Sequence, residues 1–181
     1  AGIRRKARVA EGLEAAGIGK SIEMIKRSDI VLMVLDASEE ITSQDQQLAG
    51  LLRESTKSAI IVVNKWDLSE DNTDEFRNDT KEKIYASFPH LDYAPIVFVS
   101  AKTKFRIHQI FPLITRAWEE RQIIIPENEL REFFKKTTRQ HRPARGKGTR
   151  HPEIMAFEQV HNNPPIFEMF IKHKTPVHFS Y

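Results

Sequence analysis

The sequence predicts an α/β fold, in which a parallel sheet with flanking helices is followed by a small α+β domain. Three short apolar runs carry this prediction, at residues 30–36, 59–63 and 95–99. None contains a polar interruption, which is typical of strands buried on both faces. The stretches between the runs have helical spacing, and strands that alternate with helices form parallel sheets.

The helices between these strands follow from the spacing of their apolar residues. The first is predicted at 43–54 with Ser43 as its N-cap, because a serine side chain can accept from the free N–H groups of the first turn. The second is predicted at 73–88, with buried positions at Phe76, Ile84 and Phe88. After the third strand, an apolar stripe predicts a helix that ends near Gln122; its residues are Ile107, Ile110, Phe111, Ile114 and Trp118.

A second domain is predicted from residue 123 onward. The segment 123–126, Ile-Ile-Ile-Pro, interrupts the alternation, so we place the boundary between domains 1–122 and 123–181. A helix at 127–138 would carry one apolar face, formed by Leu130, Phe133, Phe134 and Thr137. Two alternating segments, 153–160 and 166–172, predict an antiparallel pair whose buried face holds Phe167, Met169 and Ile171.

Composition limits the possible classes of protein. The chain has 181 residues and is 40% hydrophobic, enough for a core. No apolar run approaches the roughly 20 residues of a membrane span, and the basic residues at the start precede no signal core. The absence of cysteine excludes disulfides and thiolate metal sites, and it fits a reducing compartment. We expect a cytoplasmic monomer with no membrane contact.

The segment Asn64-Lys65-Trp66-Asp67 directly follows the second apolar run. Guanine presents two adjacent donors, and Asp67 is suited to accept both in a charge-assisted pair. The aliphatic stem of Lys65 can lie on the purine face while its ammonium stays in water. Asn64 suits both the other edge of the base and a link between neighbouring loops, and Trp66 is expected to pack. The pattern predicts a guanine site, although Asn and Asp are also ordinary turn residues.

A second loop supports the guanine hypothesis. The third run leads into Ser100-Ala101-Lys102, and open α/β sheets bind ligands at the carboxyl ends of their strands. The N–H of Ala101 could donate to the guanine carbonyl oxygen. By contrast, the Gly-Lys-Ser of Gly19 to Ser21 is not expected to bind phosphate, because Glu14 stands where the first glycine of that loop belongs and no strand precedes it.

With these loops and this domain order, the sequence resembles the Der (EngA) family of bacterial GTPases over nearly its whole length. The resemblance assigns residues 1–122 to the latter part of a P-loop-type G domain and 123–181 to most of a KH-like domain. It makes Asn64, Lys65, Asp67, Ser100, Ala101 and Lys102 the guanine-binding residues. Gly2 and Ile3 would be the remnant of a switch, where Gly2 donates to the γ-phosphate and Ile3 replaces a water-orienting glutamine.

The same resemblance implies the wider function. GTP or GDP with Mg²⁺, and K⁺ as a further candidate, would be the cofactors, and the protein would assist maturation of the large (50S) ribosomal subunit. The phosphate-binding loop is not in this sequence, so we expect a piece of a longer protein, inactive by itself, whose Mg²⁺ ligands lie elsewhere.

A basic run points to RNA as a partner. Eight Lys or Arg residues lie between Arg131 and Arg150, against Glu132 alone. Such a run can neutralise phosphates, and the candidates for contact are Lys135, Lys136, Arg139, Arg142, Arg145, Lys147 and Arg150. A Gly-x-x-Gly loop is missing, since Gly146 and Gly148 are too close together. Two alternatives remain: a non-enzymatic RNA-binding or scaffold fragment, and a GTPase with one G domain and a KH domain.

Overall fold

The computed structural model describes residues 11–69, 71–140 and 153–172, and the side chains of 19–69, 71–140 and 155–172. Its helices and strands are, in chain order, α1 Glu11–Arg27, β1 Ile30–Asp36, α2 Ser43–Glu54, β2 Ser58–Asn64, α3 Asp74–Ser87, β3 Ile96–Phe98, α4 Ile110–Arg121, α5 Glu127–Gln140, β4 Glu153–Asn162 and β5 Pro165–Lys172. Single 3-10 turns occupy Trp66–Leu68, Pro89–Leu91 and Ile107–Gln109.

The first three strands form a parallel sheet in the order β1-β2-β3. Asp36 at the end of β1 is paired in register with Asn64 at the end of β2. Val63 is paired with Phe98 at the end of β3. All three carboxyl ends therefore meet at one edge of the sheet, and the predicted parallel α/β arrangement is confirmed.

Helices cover both faces of the central strand. On one face, Ile61 and Val63 belong to a buried cluster that also contains Leu52 of α2 and Ile84 of α3. On the other face, Ile60 and Val62 are buried with Val97 and Val99, and three residues of the α4 region that were predicted as its apolar stripe pack there: Ile107, Ile110 and Ile114. The continuous apolar sequence of β2 is thus explained by burial on both sides.

Two expectations about burial around the parallel sheet are wrong. Leu32 and Val34 of β1 are exposed, Val34 at 57%, so the described residues bury only one face of this strand. Leu32 and Val34 lie on the same face of the sheet as their partners Ile60 and Val62 of β2. On this face, α4 packs against β2 and β3. Phe111 and Trp118, both predicted in the apolar stripe of α4, are also exposed, because the face that packs on the sheet runs through Ile110 and Ile114 instead.

The helix ends are defined by side-chain hydrogen bonds. Thr42, rather than the predicted Ser43, caps α2, because its hydroxyl accepts from the N–H of Asp45 at 3.2 Å. The Asp45 carboxylate accepts in return from the N–H of Thr42 at 2.9 Å, which completes a capping box. Gly19 to Ser21 lie inside α1, as expected for a segment that does not form a phosphate-binding loop.

Residues Ala1–Trp118 and Glu119–Tyr181 form separate compact units. The domain boundary after residue 122 remains a prediction. In the second unit, β4 and β5 are antiparallel as predicted, with Asn162 paired to Pro165 across a two-residue turn. The side chain of Gln159 accepts from the N–H of Ile125 and donates to the carbonyl of Ile123, each at 2.8 Å. The Gln159 side chain therefore supplies residues 123–125 with two hydrogen bonds of the kind that a neighbouring strand would provide.

In the second unit, Phe157 of β4 contacts aromatic residues of α5 and β5. Phe157 stacks on Phe134 of α5 at a centroid distance of 6.3 Å and on Phe167 of β5 at 5.4 Å. The expected burial of Phe167 and Met169 is wrong, since both side chains are exposed. The reason is that α5 lies against β4, so the described part of the chain provides little cover for β5.

Candidate functional site

Backbone hydrogen bonds fix the carboxyl edge of the sheet. The carbonyl of Asn64 accepts from the N–H of Ala37 at 2.8 Å, which ties the end of β2 to the residue after β1. The N–H of Trp66 donates to the carbonyl of Val99 at 3.0 Å, which ties the loop after β2 to the end of β3. The two predicted loops are therefore brought together by the sheet itself.

Asn64 joins these two loops directly. Its Oδ1 accepts from the N–H of Ala101 at 3.0 Å, across 37 residues of sequence. The expected role of Asn64 as a link between loops is confirmed. The same contact occupies the Ala101 N–H that we expected to face a guanine carbonyl, so a bound base would share this donor with Asn64.

Lys65 has a left-handed backbone, with φ of 61°. This conformation is uncommon for a residue other than glycine. Its side chain is 52% exposed, yet the ammonium Nζ lies 2.7 Å from Oδ2 of Asp36. The ammonium therefore pairs with a buried carboxylate, a contact that the sequence did not predict.

Asp36 is the functional candidate that sequence reasoning missed. Its side chain is 7% exposed. Oδ1 accepts from the backbone N–H of Ser38 at 3.0 Å and from the Ser38 hydroxyl at 2.7 Å, while Oδ2 faces Lys65. A signal was present, because an acidic residue ends an apolar strand beside the strand that ends in Asn64. The contact itself depends on the order and register of the strands.

Trp66 packs beneath the loop, as predicted. It is 3% exposed and lies against Phe98, with ring centroids 4.4 Å apart, and against Phe76 at 5.8 Å. Its indole N–H donates to Oδ1 of Asn72 at 2.6 Å. The indole therefore fixes the predicted guanine-binding loop, Asn64 to Asp67, to the hydrophobic core.

The turn that presents Asn72 is itself organised by a carboxylate. The hydroxyl of Thr73 donates to Asp71 at 2.8 Å and, with the Thr73 backbone N–H, holds the pKa of the Asp71 carboxyl below its usual range. The Thr73 hydroxyl also caps α3 by accepting from the N–H of Phe76 at 3.3 Å. One threonine thus orders both the turn and the helix start.

Asp67 is exposed on the 3-10 turn Trp66–Leu68. The turn is closed by the N–H of Leu68, which donates to the carbonyl of Lys65 at 2.9 Å. Within the described ranges, no hydrogen bond or ion pair involves the Asp67 carboxylate. Neither oxygen is therefore used by another described residue.

The second loop has one buried and two exposed residues. Ser100 is fully buried; its N–H donates to the carbonyl of Phe105 and its hydroxyl accepts from the N–H of Thr103, both at 3.1 Å. Ala101 and Lys102 are exposed. Ser100 therefore shapes the loop, and its two neighbours form the surface.

The remaining candidate residues lie in the second unit or outside the described residues. Lys135, Lys136 and Arg139 are exposed on α5, in the second unit. Gly2, Ile3, Arg142, Arg145, Lys147 and Arg150 lie outside the described residues. Among the residues that the structure describes, no three His, Cys, Asp or Glu side chains cluster to hold a metal ion. No helix in the described ranges is long and apolar enough to cross a bilayer.

Comparison with known proteins gives two family matches. Residues 18–124 match the elongation factor Tu GTP binding domain. Residues 125–181 match the KH-domain-like region at the C-terminus of EngA bacterial GTPase enzymes. A GTPase Der from Symbiobacterium thermophilum is 39% identical over 181 residues, which is 100% of this chain and 38% of that protein. A GTPase Der from Geobacillus sp. (strain WCH70) is 38% identical, over 100% of this chain and 41% of that protein.

Solved structures share the fold. The elongation factor SelB from Methanococcus maripaludis, in complex with the GTP analogue GppNHp, aligns with a TM-score of 0.51 and 26% identity over 61% of this chain and 24% of that one. Era, in complex with MgGDPNP and nucleotides 1506–1542 of 16S ribosomal RNA, aligns with a TM-score of 0.52 and 16% identity over 92% of this chain and 58% of that one.

The parallel sheet, the loops at its carboxyl edge and these matches define a G domain followed by a KH-like domain. The chain belongs to the Der (EngA) family of GTPases, within the wider group that shares the elongation factor Tu GTP-binding domain. It spans about two fifths of the length of the curated relatives it matches.

Proposed function

We propose that Asn64 to Asp67 and Ser100 to Lys102 bind the guanine base of GTP and GDP. The hydrogen bond between Asn64 and Ala101 carries this proposal, because it holds the two loops side by side at the edge where α/β sheets bind ligands. The exposed Asp67 carboxylate, on the same loop as Asn64, is the acceptor that guanine requires.

The chemistry of the loops favours guanine over adenine. Guanine gives Asp67 two N–H donors, whereas adenine has an acceptor at N1 and no amino group at C2. Pairing adenine would leave the carboxylate desolvated without a donor, and polar sites reject such analogues by roughly 10⁴ or more. The Ala101 N–H, which donates to Asn64, would be shared with the guanine carbonyl oxygen.

We further propose that the full-length protein is a GTP-hydrolysing switch, since the relatives over this whole chain are named GTPase Der. In this switch, Gly2 would donate to the γ-phosphate and Ile3 would stand in place of a water-orienting glutamine. The described residues do not offer the carboxylate cluster that would fit Mg²⁺.

The proposed biological role is assembly of the large ribosomal subunit by a cytoplasmic monomer. The basic run supports an RNA partner, because Lys135, Lys136 and Arg139 are exposed together on α5. Ribosome association that depends on GTP supports the switch, whereas RNA binding that is indifferent to nucleotide supports the alternative of an RNA scaffold.

Replacement of Asp67 by Asn tests the base site in the full-length protein. We expect GTP affinity to fall by about 10²-fold or more, because two hydrogen bonds to a charged group are lost. Xanthosine triphosphate should gain affinity, since its C2 carbonyl accepts from the new amide. Calorimetric titration with both nucleotides measures the change. Asp92→Asn removes an exposed carboxylate near the opposite end of β3 and is the matched control. Unchanged GTP affinity in Asp67→Asn contradicts the proposal.

A further inference from the structure

The buried carboxylate of Asp36 uses its two oxygens for different purposes. Oδ1 receives the N–H and hydroxyl of Ser38, and so it orders the loop after β1. Oδ2 receives the ammonium of Lys65 at 2.7 Å. A carboxylate with 7% exposure needs such donors, because an uncompensated buried charge is strongly unfavourable.

The ion pair restrains Lys65 at both ends of its side chain. The backbone is fixed in the left-handed region at the end of β2, and the ammonium is fixed at the end of β1. The stem between these points is half exposed and contributes apolar surface at the carboxyl edge. A free lysine samples many rotamers, and ordering it on binding weakens affinity. Here the ion pair with Asp36 already restrains the side chain.

We propose that Asp36 is a positioning residue of the nucleotide site, which holds the Lys65 stem as a platform for the purine before nucleotide arrives. This rests on the proposed guanine site. Asp36 is buried beneath Lys65 and reads no edge of the base. Its contribution is therefore to the affinity for every purine nucleotide alike, whereas Asp67 determines which base is preferred.

A double-mutant cycle in the full-length protein tests this role. Asp36→Asn, Lys65→Met and the double variant are titrated with GDP and with inosine diphosphate, which lacks the amino group at C2. We expect Asp36→Asn to weaken both ligands by the same factor, about tenfold. The double variant should bind within about twofold of Lys65→Met alone, because Asp36 acts through the Lys65 ammonium.

Two controls separate positioning from folding. Ser38→Ala removes a donor to Oδ1 and leaves the Lys65 contact, so it should weaken binding much less than Asp36→Asn. Glu40→Gln removes an exposed acidic charge from the same loop and should leave the affinities for GDP and inosine diphosphate unchanged. Additive effects in the cycle, a changed ratio of GDP to inosine diphosphate affinity, or equal losses in Ser38→Ala and Asp36→Asn would each overturn the proposal.

A measurement on the unsubstituted protein covers the case in which Asp36→Asn does not fold. In reductive methylation without nucleotide, Lys65 should react more slowly than the exposed Lys102, because its ammonium is engaged. Equal rates overturn the inference.

If Asp67→Asn shifts base preference while Asp36→Asn binds normally, only this inference fails. If the unsubstituted protein does not bind GDP, the proposed function fails with it.

Discussion

Lys65, Lys104 and Arg106 have left-handed backbones, with φ of 61°, 63° and 52°. All three lie in the loops at the carboxyl edge of the sheet, where strain is commonly retained for function. At Lys65 the conformation is accompanied by the ion pair to Asp36. Lys104 lies between the exposed residues of the second loop and α4, so strain there shapes the backbone of that loop.

Lys104→Gly should therefore stabilise the protein slightly. A left-handed residue other than glycine costs about 1–2 kcal/mol, and the greater freedom of glycine in the unfolded chain offsets about 0.4–1 kcal/mol of the gain. We expect a net increase of about 0.5 kcal/mol in the free energy of unfolding, measured by urea denaturation. Lys102→Gly, in the same loop without a positive φ, should lower it. Equal effects at both positions would contradict this account.

At the residue scale, the sequence predicted the packing of Trp66 and the link made by Asn64, but it did not predict the contact between Asp36 and Lys65. The packing of Trp66 follows from its size and its place between turn residues, and the link from Asn64 follows from its donor and acceptor atoms. The Asp36 contact needs the register that places β1 beside β2, which apolar periodicity does not contain. For the same reason, the engagement of the Lys65 ammonium was missed.

At the scale of the element, strand and helix positions were predicted within a few residues, because each apolar period is local. Coverage was not. Val34 and Phe111 belong to apolar patterns and are still exposed, because the pattern cannot tell which neighbour lies opposite. Helix starts fall between these cases: Thr42 and Ser43 are both good caps, and the geometry selects Thr42.

The α2 cap gives a prediction at this scale. Thr42→Ala removes the hydroxyl that accepts from the N–H of Asp45, and it should lower the free energy of unfolding by about 1 kcal/mol. Ser43→Ala is the matched control, since Ser43 lies inside the helix and alanine has the higher helix propensity. Thermal denaturation of both variants measures the difference. A larger loss in Ser43→Ala would show that the cap lies one residue later.

For the whole molecule, charge is distributed unevenly. The formal net charge is +3, while the segment from Arg131 to Arg150 holds eight basic residues against one acidic residue. The described part of this segment lies on α5, with one ion pair between Arg131 and Glu127. The other basic side chains named on α5 are exposed and available to phosphates.

The order of the two units was predictable because the period changes at residues 123–126, whereas the strand order within the sheet was not.

Neutralising the basic face of α5 should reduce RNA affinity and its dependence on salt. Each lost phosphate contact lowers the slope of log K against log salt by about 0.7–0.9. The triple variant Lys135→Gln, Lys136→Gln, Arg139→Gln should therefore lower it by about 2–3, measured by filter binding to large-subunit ribosomal RNA. The matched control removes two lysines and one arginine from exposed positions of the first unit, with the substitutions Lys26→Gln, Arg53→Gln and Lys83→Gln. Equal losses in both variants would mean that net charge alone governs binding, and an unchanged slope in the first would exclude α5 as the RNA contact.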